Sequence, residues 1–503
     1  MRKAATIIGA GIAGLSAGCY LQMNGYNTRI FELHSLPGGL CCAWKRKDYT
    51  IEGCIHWLAG SSPGDSIYKI WNELIDMQSL EFIYHDEHIR AEDKDGNFIR
   101  VFTDINKLEQ EFLEKASEDA ALIQEFTKAV RGFLSFVAPV DKAFETFTFI
   151  DRIKFLARVL PHLRTFKKWS KITIRDYADK YKNPLLKKAL LHTFFPDMTV
   201  FFIILTLAWR HNKYAGYPLG GSLKLAQMME QAYLNLGGEI FYNSKVIKIR
   251  TANDCATGII LESGQAIRSD IVISAADGYA TIFDMLEGRY IDEQIKDYYN
   301  NYDAMPSYLQ VSLGISRKLD NEPQSVVLPL ERPLIIDEKK QHENILVRIF
   351  NNDPAIAPAG KSLITVLLTT PHFAHWENLR QNDKDKYQAE KERIANAVIE
   401  VLEKRFGNIK NNIEVIDVAT PATVIRYTNN WKGSLEGWVL SPKMTMKKMR
   451  KVLPLLSNFY MAGQWVEPGG GISTSLISGR NVTQIICQDD LKKFRSSLSK
   501  SLV

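Results

Sequence analysis

The chain opens on an apolar run, a glycine-rich turn and a second apolar run. Ala4-Ala5-Thr6-Ile7-Ile8 is a continuous apolar stretch of strand length, Leu15 to Asn24 carries a helical pattern, and Thr28-Arg29-Ile30-Phe31 reads as a second strand. The same patterning places a buried helix or pocket wall over Val200 to Trp209. It places a helix with periodic Leu223, Leu225, Met228, Met229 and Ala232 after Gly220-Gly221-Ser222, and strands over Glu239 to Arg250, Gly258 to Glu262 and Asp270 to Ala275. From 305 to 428, alternating runs at Tyr308 to Ser312, Asn344 to Phe350 and Leu363 to Leu368 predict a mainly antiparallel sheet, with one long helix near Lys386 to Arg405. Asn458 to Gln464 predicts a late strand, followed by glycines and a helix from about Ser473.

Gly9-Ala10-Gly11-Ile12-Ala13-Gly14 joins the first strand to its helix, and Glu32 ends the second strand, so the unit reads as a dinucleotide fold. Gly9 permits the turn, Gly11 leaves the pyrophosphate path open, and Gly14 lets helix and strand pack closely. The first-turn N–H groups of Ile12 and Ala13 face the phosphates. Glu32 is placed to accept from ribose hydroxyls. A packing cluster of glycines is the plainer alternative.

Six residues after the acidic strand end, Leu36-Pro37-Gly38-Gly39-Leu40 supplies a second glycine pair, an arrangement that resembles two-dinucleotide-binding-domain flavoproteins and implies FAD. Near the end, Glu467-Pro468-Gly469-Gly470-Gly471-Ile472 precedes a helix, and Gly463, Gly471, Ile472 and Ser473 are candidates to meet the flavin, with a flexible loop as the alternative. Those passages, with Tyr49 to Trp57 and Tyr217-Pro218-Leu219-Gly220-Gly221-Ser222, resemble the carotenoid desaturase, carotenoid isomerase and retinol saturase group of FAD oxidoreductases. Leu40 departs from that group where many members carry an arginine. Glu52 stands in place of an aspartate, and Gln464 holds a position often acidic in the wider superfamily.

The resemblance implies an α/β architecture in which a Rossmann-like FAD-binding lobe is interleaved with a mixed, mainly antiparallel substrate domain and a helical cap. Residues 1–70, 213–285 and 431–503 form the three parts of the FAD lobe, 71–212 a helical region facing substrate or membrane, and 286–430 the substrate domain. Val246 is the expected backbone contact to adenine. The implied reaction is desaturation or saturation of carbon–carbon bonds in a hydrophobic polyene, isoprenoid or other lipid, with hydride passing to or from flavin N5. A flavin-dependent double-bond isomerase, an amine oxidase and a non-catalytic lipid escort are the alternatives. No second GxGxxG is present, so electrons are expected to come from or go to an external partner.

For proton transfer His56 is the first candidate and Glu467 the second; a histidine among Ile55, Trp57 and Leu58 also fits a packed core. Asp197, Arg210 and His211 read equally well as structural.

Composition adds a few constraints. The 503 residues are 46% hydrophobic with a net charge of +6, enough for a large core and without the excess that marks a nucleic-acid partner. Cys19, Cys41, Cys42, Cys54, Cys255 and Cys487 show no metal or disulfide spacing, so no metal and a reducing cytoplasmic compartment are expected. The early first strand leaves no room for a signal peptide, and no apolar run reaches the roughly 18 residues of a span.

Charge is uneven, however. Arg152, Lys154, Arg158, Arg164, Lys167, Lys168 and Lys171 share a stretch free of acids with Phe155, Leu156, Val159, Leu160, Leu163 and Phe166, and Pro161 divides it into two short helices. This basic amphipathic pattern suits peripheral contact of 152–171 with the inner face of a membrane, or a core-packed surface pair with solvated lysines. Lys443, Lys447, Lys448, Arg450 and Lys451, interleaved with Met444, Met446 and Met449, form a weaker pattern of the same kind.

Overall fold

The computed structural model describes residues 2–444, 447 and 449–497. A five-stranded parallel sheet has the spatial order Glu239–Phe241, Asn27–Phe31, Ala4–Ile8, Ile271–Ser274, Phe459–Met461. The two strands at its centre, Ala4–Ile8 and Ile271–Ser274, are mostly apolar because parallel sheets are covered on both faces. Ile7, Ile30, Val272 and Ile273 are all fully buried. The helix Ile12–Met23 packs between Gly221–Asn235 and Ile472–Asp489. A Cβ at Gly479 would stand 2.4 Å from the Ala13 carbonyl oxygen, and one at Gly18 would stand 2.6 Å from the Tyr233 ring, so both contacts need the missing side chain. All three sequence stretches assigned to the FAD lobe contribute to this layer.

A second sheet has seven strands in the order Ile413–Ala419, Ser307–Ile315, Ser362–Thr370, Lys340–Phe350, Ser325–Asp337, Glu87–Glu92, Phe98–Phe102. Every neighbouring pair is antiparallel except Ser325–Asp337 with Glu87–Glu92. Residue alternation gives the sheet two different faces. Leu309, Val311, Val347, Ile349, Ile364 and Val366 pack under the helix Lys384–Phe406. Tyr308, Gln310, Leu346, Arg348, Thr365 and Leu367 face a cavity on the other side.

The expected helical region is corrected in part. Helices Ile105–Lys115, Ala120–Arg131, Pro184–Thr193 and Val200–His211 build its own core, but residues 87–92 and 98–102 leave it to complete the substrate sheet. The single strand expected over Glu239 to Arg250 is instead two. Glu239–Phe241 edges the parallel sheet, and Val246–Ala252 starts a separate antiparallel sheet with Cys255–Leu261 and Ala266–Arg268.

The basic segment forms Phe149–Val159, a 3-10 turn Leu160–His162 holding Pro161, and Leu163–Trp169. Phe155, Val159, Leu163 and Phe166 are half-buried. A second stripe points outward: Phe149 is 77% exposed and Leu160 59%, with Ile150, Ile153 and Leu156 exposed beside them. The weaker basic pattern does not form a comparable patch. Lys451 is buried between Glu145 and Glu467, both at 2.9 Å, and Arg450 pairs with Asp292 at 2.7 Å. Lys448 and Met446 lie outside the described residues. Among the described residues no helix is long and apolar enough to cross a membrane.

Candidate active site

The turn after the first strand is built from backbone. Gly9 has φ +96° and donates its N–H to the Phe31 carbonyl at 2.8 Å. A Cβ at Gly14 would lie 2.0 Å from the Gly9 oxygen, so this glycine sets the packing of strand on helix and stands outside the cavity itself. Gly38, at φ +111°, donates to the Ala10 carbonyl at 2.9 Å and brings Gly39 against Gly11. Glu32 accepts from Ala10 N at 2.6 Å and His34 N at 2.8 Å, and burial raises its pKa.

One cavity of about 1570 Å³ collects Gly9, Gly11, Ile12, Ala13, Glu32, Gly38, Gly39, Val246, Gly463, Gly471, Ile472 and Ser473. Two features mark it as a nucleotide cradle. The helices Ile12–Met23 and Ile472–Asp489 both begin at a glycine with no side-chain cap, leaving first-turn N–H groups to a ligand. Gly11 and Gly471 face open space: a Cβ at Gly11 would meet nothing nearer than 3.8 Å, and one at Gly471 nothing within 4 Å. Ser473 is fixed by donating to Ala59 O at 2.8 Å. These residues fit FAD: the first helix would hold the pyrophosphate, Glu32 a ribose and the second helix the electron-rich pyrimidine edge.

The proton-handling candidates fare differently. Glu467 does not line the cavity; Lys451 at 2.9 Å and Asn481 Nδ2 at 3.2 Å hold it aside. The carboxylate that does stand at the glycine cluster is Glu436, missed in the sequence because it lies more than thirty positions before Gly471 in an irregular segment. Gly470 has no Cβ because Glu436 Oε2 would lie 1.9 Å from it, and burial pushes Glu436 up to about 7.

His56 does line the cavity, but as a weak base. Its Nε2 accepts from Arg348 Nη2 at 3.3 Å and its Nδ1 meets Cys54 O at 3.3 Å, so the neutral ring carries its proton on Nδ1. Burial first, then the Arg348 and Arg210 charges, hold its pKa well below the usual histidine range. The expectation of a near-neutral acid–base histidine is corrected accordingly.

Glu52 fixes the segment that carries His56. Its Oε1 accepts from Cys54 N at 2.9 Å, Ile55 N at 3.0 Å and the Ser222 hydroxyl, while Oε2 accepts from Ser222 N at 2.9 Å. A Cβ at Gly221 would fall 2.1 Å from Oε2, so the glycine at φ +58° admits the carboxylate. Of the remaining polar residues, Asp197 pairs with Arg175 on the surface at 3.3 Å, and His211 Nδ1 accepts from Ile105 N at 3.2 Å.

Gly11→Val should fill the pyrophosphate path and abolish FAD binding. Glu32→Ala should weaken it by about 1.5 to 3 kcal/mol, the scale of hydrogen bonds to a charged acceptor. Flavin absorbance after dialysis against free FAD measures both. Wild-type protein that stays colourless after reconstitution would overturn the assignment.

Comparison with known proteins gives the family and the cofactor. The chain is 23% identical over 506 residues to the chloroplastic prolycopene isomerase of Arabidopsis thaliana, covering 94% of this chain and 81% of that one. It is 24% identical over 512 residues to the 4,4'-diapophytoene desaturase (4,4'-diapolycopene-forming) of a Methylomonas species, covering 97% and 96%. Its fold matches the crystal structure of an oxidoreductase from Methanosarcina mazei with a TM-score of 0.60 at 15% identity, over 96% of this chain and 100% of that one. The sequence pattern of the family described as flavin containing amine oxidoreductase matches residues 12–487. The chain therefore belongs to the flavin containing amine oxidoreductase family and is an FAD-dependent oxidoreductase.

Proposed function

We propose that this oxidoreductase acts on carbon–carbon bonds of a hydrophobic polyene, an isoprenoid or other lipid, as a desaturase or saturase that exchanges electrons with an external acceptor or donor. The observation that carries this reading is the continuity of the cavity. Beyond the cradle it runs without a break along Phe194, Phe195, Met198, Phe202, Trp209 and Tyr308, an apolar and aromatic wall suited to a long lipid rather than a polar amine. The named desaturase and isomerase relatives support the same substrate class. The isomerase relative also supports a second reading, double-bond rearrangement without net electron transfer.

FAD, when bound, supplies two-electron redox chemistry. The chain aligns the lipid in the apolar arm, excludes water from it and manages the proton. Glu436 is placed for that last part, because its carboxylate faces the cavity at the glycine cluster with a pKa near neutrality. His56, its Nε2 engaged by Arg348, positions that guanidinium.

The outward stripe of Phe149, Ile153, Leu156 and Leu160 supports peripheral attachment to the inner face of an anionic bilayer. Arg152, Lys154, Lys167 and Lys171, near it, have no carboxylate partner within ion-pair distance among the described residues. Lys168 pairs with Glu125 and Arg158 with Asp141.

Anaerobic mixing with isoprenoid polyenes should change flavin absorbance: bleaching of the oxidised protein marks desaturation, and recovery of the reduced protein marks saturation. Geometric isomers formed without net bleaching would select the isomerase. A response to amines alone would sink the polyene reading.

Glu436→Gln should keep FAD yet slow turnover by about 100- to 10,000-fold. A carboxylate that accepts the substrate proton must be ionised, so wild-type turnover should rise with pH through about 7; one that donates must be protonated, so turnover should fall there. A Gln variant with unchanged rate and pH profile would remove Glu436 from the chemistry.

On liposomes containing phosphatidylserine, wild-type protein should cosediment at low salt and be released as salt rises. Replacing Arg152, Lys154, Lys167 and Lys171 with Gln should weaken attachment by about 1 kcal/mol per charge. Equal sedimentation of the two proteins would make the segment an ordinary surface.

A further inference from the structure

Two guanidinium groups without an ion-pair partner among the described residues lie close together here: Arg348, half-buried and lining the cavity, and Arg210, buried behind its wall. Arg348 sits on the cavity face of Lys340–Phe350, between Leu346 and Phe350, which line the same space. Its recorded side-chain partner is the neutral His56 ring, and its Nε is buried with no acceptor. Arg210 ends the apolar run of Val200–His211, is 7% exposed and lies over the Trp57 ring at 5.7 Å; its Nε is also unpaired. Neither arginine has a carboxylate within 4 Å among the described residues. Glu52 acts on Arg348 through space, but both its oxygens are taken by Cys54, Ile55 and Ser222. Burial holds Arg348 at about 10, and burial with Arg348's charge holds Arg210 at about 9, so both are cations at neutral pH.

Buried charges are ordinarily paired, and an uncompensated one costs several kcal/mol. Two mutually repelling cations, one in the cavity wall and one behind it, with the unpaired His88 Nδ1 near both, form a site whose partner is an anion from outside the chain. The side chain that reaches the cavity is Arg348; Arg210 reinforces its field from behind Trp57. We propose that the lipid taken by this cavity carries a terminal carboxylate, bound by Arg348 with His56 orienting the guanidinium and Arg210 supplying the second positive charge. A planar monoanion suits a guanidinium fork. A phosphate or diphosphate headgroup would bring more charge against a single cavity-lining guanidinium, at greater desolvation cost. The inference rests on the polyene reading and narrows its substrate class to unsaturated carboxylic acids.

The test compares retinoic acid, methyl retinoate and dodecyl phosphate as probes on FAD-loaded wild type, Arg348→Gln and Arg348→Lys, read by calorimetry and by perturbation of the flavin spectrum. Retained flavin absorbance reports that each variant is folded. Wild type should bind the acid about 10- to 100-fold more tightly than the ester. Arg348→Gln should erase that preference while leaving ester affinity unchanged, and Arg348→Lys should restore part of it. Equal binding of acid and ester to wild type, or equal loss of both in Arg348→Gln, would overturn the proposal. Tighter binding of the phosphate than of the acid would overturn the carboxylate assignment. So would a shift of the flavin midpoint potential in Arg348→Gln with the acid preference intact, since the charge would then serve the cofactor. If neither retinoid binds FAD-loaded wild type while isoprenoid hydrocarbons perturb its flavin, the carboxylate assignment fails alone; if no polyene perturbs it, the polyene reading fails and takes this inference with it.

Discussion

The Glu52 carboxylate is the joint on which the site turns. Burial raises the Glu52 pKa, and donors must replace the water the carboxyl group loses; here four of them, from two separated stretches of chain, oppose that shift. They bind the segment carrying His56 to the start of the helix Gly221–Asn235. The Glu52 carbonyl in turn accepts from Gln310 Nε2 at 2.9 Å, bringing in the substrate sheet. Removing any one partner would leave a buried polar group unsatisfied, at about 1 to 3 kcal/mol. One residue thus joins three parts of the molecule, alongside further polar ties such as Tyr49 to Glu414 and Gly220 N to Asp353, both at about 2.7 Å.

That alignment gives the seven-stranded sheet its second task. Helix Lys384–Phe406 covers one face and makes it a conventional core. The opposite face is spared packing because it walls a cavity, and its side chains are correspondingly mixed: Tyr308, Gln310, Thr365 and Leu367 as well as Arg348. Period-two geometry converts one strand sequence into both a structural and a functional surface.

The parts legible in the sequence are those whose chemistry is local. The strand, glycine turn, helix and Glu32 lie within a few tens of residues, so spacing alone places them, and the long buried helix and the substrate strands follow from uninterrupted or alternating apolar positions. The missed pieces are contacts between stretches that are not neighbours in sequence, from some thirty positions to several hundred apart. Glu436 meets the glycine cluster only after the chain returns to the cofactor lobe, and nothing in its own neighbourhood separates it from Glu467. Strands 87–92 and 98–102 have few residues each and sit between helices, where periodicity does not tell which sheet they join. Arg348 did carry a signal, a charge at the cavity-facing register of the apolar end of its strand, but only the fold shows that no carboxylate among the described residues forms an ion pair with it. The amphipathic 152–171 segment was readable as a pattern, whereas which of its apolar residues pack inward and which stay exposed depended on tertiary structure.

The parallel sheet also imposes an order of events. Its edge strand Phe459–Met461 and the helix Ile472–Asp489, which closes over Ile12–Met23 and opens the second uncapped N-terminus, come from the last part of the chain. During synthesis the first nucleotide-binding turn is made early and then waits, with its apolar helix face uncovered, for more than four hundred residues to follow. Cofactor capture therefore waits for residues 459–489, and a nascent chain or one cut before them presents the turn without the elements that make it a flavin site.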